Sequence, residues 1–263
     1  MDYSKYKRFF AFGCSFTGYM YPTWSDIMSK NIPNARYYNF GRSGGGNMFI
    51  ASRLSEANRK YKFCETDLVM VMWSTFCRED RWLKDRGWIT PGNIYTQGEY
   101  DFTTNAYLCT WGDPITYLVR DLALIDITNT FIKSLPCDSL SMLSVPFDYQ
   151  QEYNNNQVLT ELMELYSDLE QSFPPNMFDH QMNGVWGNSC EYTVSWSDNP
   201  HKDYHPSPKQ YYEYLSKLNI PMSDEALSYA NNATEILKQV REESDFWTAF
   251  PKIDPRVQRT DLI

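Results

Sequence analysis

The chain reads as an α/β protein in which helices cover both sides of a mostly parallel central sheet, a three-layer α/β/α sandwich. Three observations predict this. The run DLVMVMW, residues 67–73, is apolar almost throughout rather than alternating. A strand with that pattern needs both faces buried, as in a parallel sheet covered on each side. Strand-like and helix-like segments then alternate along the chain, and glycine-containing loops follow the first two strands.

Taken in order, the first strand covers about 7–12 and runs into a turn at Gly13–Thr17. A short helix opens in PTWSDIMSK. A second strand, at about 36–40, is followed by the loop RSGGGN. The next helix, about 47–62, places Ile50, Leu54, Ala57 and Tyr61 on one face by their spacing of three and four. After the strand 67–73, the segment 80–112 has little periodicity and reads as an excursion from the sheet. Asp113 and Pro114 then suit the N-cap and first position of a helix, whose apolar side carries Leu118, Leu122, Ile125 and Ile132. LSMLSVP, 140–146, is another buried strand. A second excursion, 147–197, contains an amphipathic helix over 158–172. The loop DNPHKDYHP leads into a helix, a last helix lies near 223–242, and a polar tail follows. We expect one domain over 1–263, with insertions at about 80–112 and 147–197.

Bulk properties exclude several functions. With 42% hydrophobic and 22% charged residues the chain has the composition of a globular protein. A formal net charge of −9, with its basic residues scattered, argues against nucleic-acid or anionic-membrane binding. No apolar run approaches the length of a membrane span. The start, MDYSKYKRFFAFG, has too short an apolar run for a secretory signal, so a cytoplasmic location is expected. Six cysteines without C-x-x-C spacing and only three histidines make a zinc site unexpected, and no cofactor or metal is implied.

The chemistry gathers after the strands. Gly13 ends the first strand and presents Cys14, Ser15 and Thr17. DYH, residues 203–205, places a carboxylate and an imidazole two positions apart. RSGGGN offers backbone N–H groups unshielded by side chains. A serine hydrolase needs these parts: a nucleophile, a base, an acid to orient it, and oxyanion donors. Cys14 is expected to point inward as a small buried thiol, because adjacent side chains on an extended turn diverge.

This order resembles the SGNH (GDSL-like) hydrolase superfamily over about 5–75, 113–146 and 198–220, leaving both excursions unmatched. The resemblance implies a flavodoxin-like fold. It also implies that Ser15 in FGCSFT is the nucleophile, with Cys14 where the family has Asp, and that Gly44 in NFGRSGGGN gives an oxyanion N–H. His205 in DYHP would be the base and Asp203 its orienter, one residue closer together than in Asp-x-x-His. DNPH offers His201 at the full spacing, but His205 precedes a helix start, as in the family. The third block departs: MWSTFCRED lacks the family's Asn, leaving Thr75 or Ser74 to supply a hydroxyl donor.

Arg78 is a candidate for a substrate carboxylate or for a salt bridge, and His180 reads as a loop histidine. Trp82, Trp88, Trp111 and Trp186 suit either stacking on sugar rings or packing of the insertions. The expected activity is ester hydrolysis through an acyl-serine, on a carbohydrate-type or small ester substrate. An acyltransferase on the same site and a noncatalytic glycan-binding protein are the alternatives.

Overall fold

Strand β1 (Arg8–Phe12) is buried at four of its five positions, and its side chains divide between two cores. Phe10 and Phe12 belong to one apolar cluster, and Phe9 and Ala11 to another. Strand β3 (Asp67–Trp73) splits in the same way: Val69, Val71 and Trp73 on one side, Leu68, Met70 and Met72 on the other. Period-two alternation thus feeds both faces of the sheet, and this is why the run 67–73 is apolar without a polar face.

The computed structural model describes residues 3–95, 105–148, 157–184, 193–195, 200–202, 205–239, 250 and 257–259. Its main sheet also contains β2 (Arg36–Asn39); the short β4 (Arg81–Leu83) and β5 (Gly87–Ile89) form a separate hairpin. With β6 (Asp138–Leu143), and numbering two more short strands β7 (Thr193–Ser195) and β8 (Pro200–Lys202), the last strand is β9 (Val257–Arg259). The main sheet runs β6-β3-β1-β2-β9, and every neighbouring pair is parallel. β1 and β2 are zipped by stacked ring pairs, Phe9 on Tyr37 at 5.1 Å and Phe10 on Tyr38 at 4.7 Å between centroids.

One face is covered by α2 (Asn47–Tyr61) and, after the short α3 (Asn105–Trp111), by α4 (Pro114–Lys133). Asp113 caps α4 by accepting from the Ile115 N–H at 2.9 Å, and Leu118, Leu122, Ile125 and Ile132 are buried, as the spacing predicts. The opposite face carries α1 (Trp24–Asn31) and two later helices, α8 (Pro208–Lys217) and α9 (Asp224–Gln239). The three-layer architecture expected from the sequence is the one observed.

Four expectations change in detail. The helix expected over 158–172 is two, α5 (Gln157–Leu165) and α6 (Ser167–Gln171), broken at Tyr166, which has left helical backbone geometry. The strand expected at 140–146 begins and ends earlier; the residue before Pro146 is restricted, and Ser144 already bends away. His180 lies on α7 (Met177–Met182), not in a loop. The polar tail contributes β9, which pairs in parallel with the open edge of β2. Since the main strands all point one way, the segments after β1, β2, β3 and β6 meet on one rim, where sites in such sheets form.

Candidate active site

The turn after β1 is tight because Gly13 has no side chain: a Cβ there would lie 2.0 Å from Thr17 Oγ1. The Cys14 carbonyl accepts from the N–H groups of Thr17 and Gly18, both at 3.0 Å. The Thr17 carbonyl in turn accepts from Thr23 Oγ1 at 2.7 Å, Ser25 Oγ at 2.8 Å and Asn39 Nδ2 at 2.9 Å. Trp24 Nε1 donates to Thr17 Oγ1 at 3.1 Å. The three small side chains therefore have three fates. Cys14 is fully buried in the core, as expected, and Thr17 is a structural hub. Ser15 lies at the rim, 8% exposed.

The loop after β2 is seated on this turn. Gly41 and Gly18 pack back to back; a Cβ on Gly41 would be 2.4 Å from the Gly18 nitrogen. The Arg42 N–H donates to the Gly13 carbonyl at 3.2 Å. Gly44 has φ +74°, left-handed backbone that favours glycine, and a Cβ there would meet the Thr90 carbonyl oxygen at 2.1 Å. Thr90 Oγ1 donates to the Ser43 carbonyl at 2.9 Å. The first excursion thus lies against the glycine loop. Neither the Ser15 N–H nor the Gly44 N–H meets a hydrogen-bond acceptor among the described residues.

The segment after β3 ties these loops together through polar residues. Asn47 is fully buried; its Oδ1 accepts the Ser74 N–H at 2.8 Å, and its Nδ2 donates to the Ser74 carbonyl at 3.2 Å and to Asp121 at 3.0 Å. The Ser74 hydroxyl is turned inward, buried and without a hydrogen-bond partner among the described residues, as is that of Ser144 after β6. Thr75 is only half-buried, and its Oγ1 accepts from Arg78 Nε at 2.9 Å. Arg78 Nη1 donates to the Gly45 carbonyl at 3.0 Å. The Asp80 carboxylate accepts from the Gly46 N–H at 3.0 Å and the Phe49 N–H at 2.9 Å, filling the amino end of α2. Burial pushes the Asp80 carboxyl up to about 6, against the opposing pull of those two N–H groups. Burial likewise raises Asp121, opposed by Arg120 and Asn47.

Sequence reasoning missed Asn47, Asp80 and Asp121. Asn47 and Asp80 are the last residues of motifs it had quoted, RSGGGN and MWSTFCRED, but their partners are distant in sequence.

The His205 ring packs on the Ser15 turn, stacked on Tyr19 at 4.0 Å and tilted against Phe16 at 4.8 Å between centroids. The Tyr21 hydroxyl donates to the His205 carbonyl at 3.4 Å. Ser15 Oγ makes no hydrogen bond to the imidazole. His201 lies on β8. Asp203 and Trp186 fall outside the described residues.

Trp82 is 41% exposed and meets Trp88 edge-on, and Trp88 does the same to Phe49 on α2. These two indoles pack the excursion onto the fold. Trp111 is 67% exposed and borders a cleft of about 330 Å³ shared with Glu79, Arg81, Tyr107 and Tyr117. Among the described residues no cluster of three or more His, Cys, Asp or Glu could hold a metal ion, and no helix is long and apolar enough to cross a membrane.

No protein-family model matches the chain, and no curated protein matches it. Solved structures with a similar chain path include a member of the lipolytic G-D-S-L family from Veillonella parvula, 15% identical. That match covers 80% of this chain and 95% of that one at a TM-score of 0.36. A catalytic mutant of an acetylxylan esterase from Geobacillus stearothermophilus is 13% identical over 82% of this chain and 95% of that one, TM-score 0.44. An α/β hydrolase from the metagenome of Lake Arreo is 11% identical over 82% and 98%, TM-score 0.43. At these values the likenesses bear on neither the reaction nor the substrate.

Proposed function

We propose that the chain is a serine ester hydrolase of SGNH type, with Ser15 as nucleophile and His205 as base. The observation that carries this reading is the packing of the His205 ring on the turn that bears Ser15, across 190 residues of sequence. The open N–H groups of Ser15 and Gly44, on two loops locked together at Gly18 and Gly41, support it as oxyanion donors. Thr75 adds a hydroxyl donor in place of the missing amide; Ser74, turned inward, is the weaker candidate.

The reaction would run in two halves. Ser15 Oγ attacks the ester carbonyl carbon while its proton passes to His205, and the oxyanion forms against Ser15, Gly44 and Thr75. The imidazolium, oriented by Asp203, protonates the leaving alcohol, leaving an acyl-serine. Water then attacks the acyl carbon, giving its proton to His205, and the acid departs as Ser15 recovers the proton. An acetyl or other small acyl group on a carbohydrate fits the exposed Trp111, which borders a cleft that Glu79, Arg81 and Arg120 also line.

A fluorophosphonate should add its mass to Ser15, and Ser15→Ala should abolish both labelling and hydrolysis of acetyl esters. A folded wild-type protein that takes up no label and turns over no ester refutes the reading. Transfer of acetyl to added sugars in preference to water would make the enzyme an acyltransferase, a variant that the cover of Thr90 over the Gly44 loop favours.

A further inference from the structure

We propose that Arg78, backed by Asp80, is a positioning residue of the ester-cleaving site, holding the Thr75 hydroxyl and the Gly44–Gly46 loop in fixed relation. This rests on the hydrolase reading above and deepens it. The guanidinium bridges two segments: Nε donates to Thr75 Oγ1 at 2.9 Å, and Nη1 donates to the Gly45 carbonyl at 3.0 Å. Two donors in a rigid planar fork fix both acceptors at once, which a lysine's single ammonium does poorly.

The bond to Thr75 also has a direction. A hydroxyl has one hydrogen and two lone pairs. With a lone pair occupied by Arg78 Nε, the Thr75 hydrogen must point away from the arginine, so the hydroxyl is held as a donor to something else. The chain lacks the amide expected after this strand, and an oriented hydroxyl is the local substitute.

The same peptide is fixed a second time. Asp80 accepts from Gly46 and Phe49, so the Gly45–Gly46 peptide is held at its carbonyl by Arg78 and at its N–H by Asp80, next to the start of α2. There is no room for slack: a Cβ on Gly46 would sit 2.7 Å from the Arg78 Cβ and 2.8 Å from Asp80 Oδ2. Arg78 is itself anchored, because Arg120 Nη2 donates to its carbonyl at 2.8 Å. In this proposal the bonds from Nε and Nη1 give Arg78 a positioning role in place of the substrate-binding role considered for it.

The test compares wild type, Arg78→Ala and Arg78→Lys by acetyl-ester kinetics and by amide hydrogen exchange over 41–50. Positioning predicts that Arg78→Ala lowers kcat roughly 10- to 100-fold with KM within about twofold, and that Arg78→Lys falls between. Exchange across 41–50 should quicken in Arg78→Ala while 67–73 keeps its protection. In a Thr75→Val background the Arg78→Ala loss should shrink, since part of it passes through the hydroxyl. Unchanged kcat, a change confined to KM, or unaltered exchange in 41–50 overturns the proposal. If Arg78→Ala does not fold, Arg78→Lys decides on the same readouts. Wild-type protein that neither hydrolyses esters nor takes the fluorophosphonate sinks the hydrolase reading, and the exchange comparison still decides whether Arg78 fixes the loop.

Discussion

Arg8 and Asp67 close the amino end of the sheet, where β1 and β3 begin; Arg78 and Asp80 stand at its carboxyl end, where strands give way to loops. The residue types are the same, and their employment differs. Arg8 and Asp67 are register partners on adjacent strands, joined as a fork through Nε–Oδ1 at 2.7 Å and Nη2–Oδ2 at 2.6 Å. Arg78 and Asp80 do not pair with each other. Each reaches backbone instead, Arg78 a loop carbonyl and Asp80 two N–H groups at the amino end of α2. The first arrangement fastens strand to strand and serves stability. The second fastens a loop to a strand end, and its effect belongs to whatever that loop presents.

Breaking the amino-end pair should give the largest loss of stability. Asp67 has no exposed side-chain surface, and it also accepts the Cys64 N–H at 2.7 Å. Asp67→Ala strands the Arg8 charge and that N–H, and should cost about 3 kcal/mol in urea unfolding. Ester turnover per folded molecule should stay at the wild-type value. A loss under about 1 kcal/mol would place the pair with ordinary surface ion pairs. A folded variant with crippled turnover would erase the distinction between the two ends.

The two ends also differ in how far they could be read from sequence. The strand 67–73, the cap at Asp113, the inward Cys14 and the seating of a histidine near Ser15 all follow from local pattern or motif order. Apolar periodicity is a one-dimensional signal, and a strand buried on both faces writes it plainly. Polar partnerships are not written that way. Asn47 meets Ser74 and Asp121, and Asp80 meets Gly46, across 27 to 74 positions of sequence. Nothing near Asp80 marks it as the partner of Gly46, the N-cap residue of a helix 34 positions earlier. β9 was hidden for a related reason: three residues carry too little pattern, and the open edge of β2 selects them. Arg78 was noticed, but only the fold could show which way it turns.

Acidity gives a smaller and sharper contrast. Burial holds Asp80 at about 6, above its ordinary 3.8. A carboxyl raised on folding contributes stability that is full below its unfolded value and is lost as pH rises through the folded one. Wild-type stability should therefore decline relative to Asp80→Asn between about pH 4 and pH 7, by up to roughly 3 kcal/mol. The measurement is urea unfolding of both proteins at each pH, and their difference removes the parallel contributions of Asp121 and Glu170, which burial also raises. A constant difference across that range would show that Asp80 does not titrate in it.

The smallest effect tests whether the carboxyl-end cluster behaves as separate bonds or as one unit. Glu79 accepts from Arg81 Nε at 2.7 Å, Arg120 Nη1 at 3.2 Å and the Tyr117 hydroxyl at 3.1 Å. Because the Tyr117 hydrogen goes to Glu79, the Tyr107 hydroxyl 3.0 Å away must be the donor to Tyr117. Tyr117→Phe deletes one of three donors to Glu79 and leaves both arginines in place. Independent bonds predict a loss of about 1 kcal/mol in unfolding, with turnover of a small acetyl ester that lacks a sugar unchanged, because Arg120 still holds the Arg78 carbonyl. A loss matching that of Asp67→Ala, with quickened exchange over 41–50, would mean that the hydroxyl pair, Glu79 and Arg120 act jointly with Arg78. The clamp on the glycine loop would then extend to α4 and to the Tyr107–Trp111 cleft.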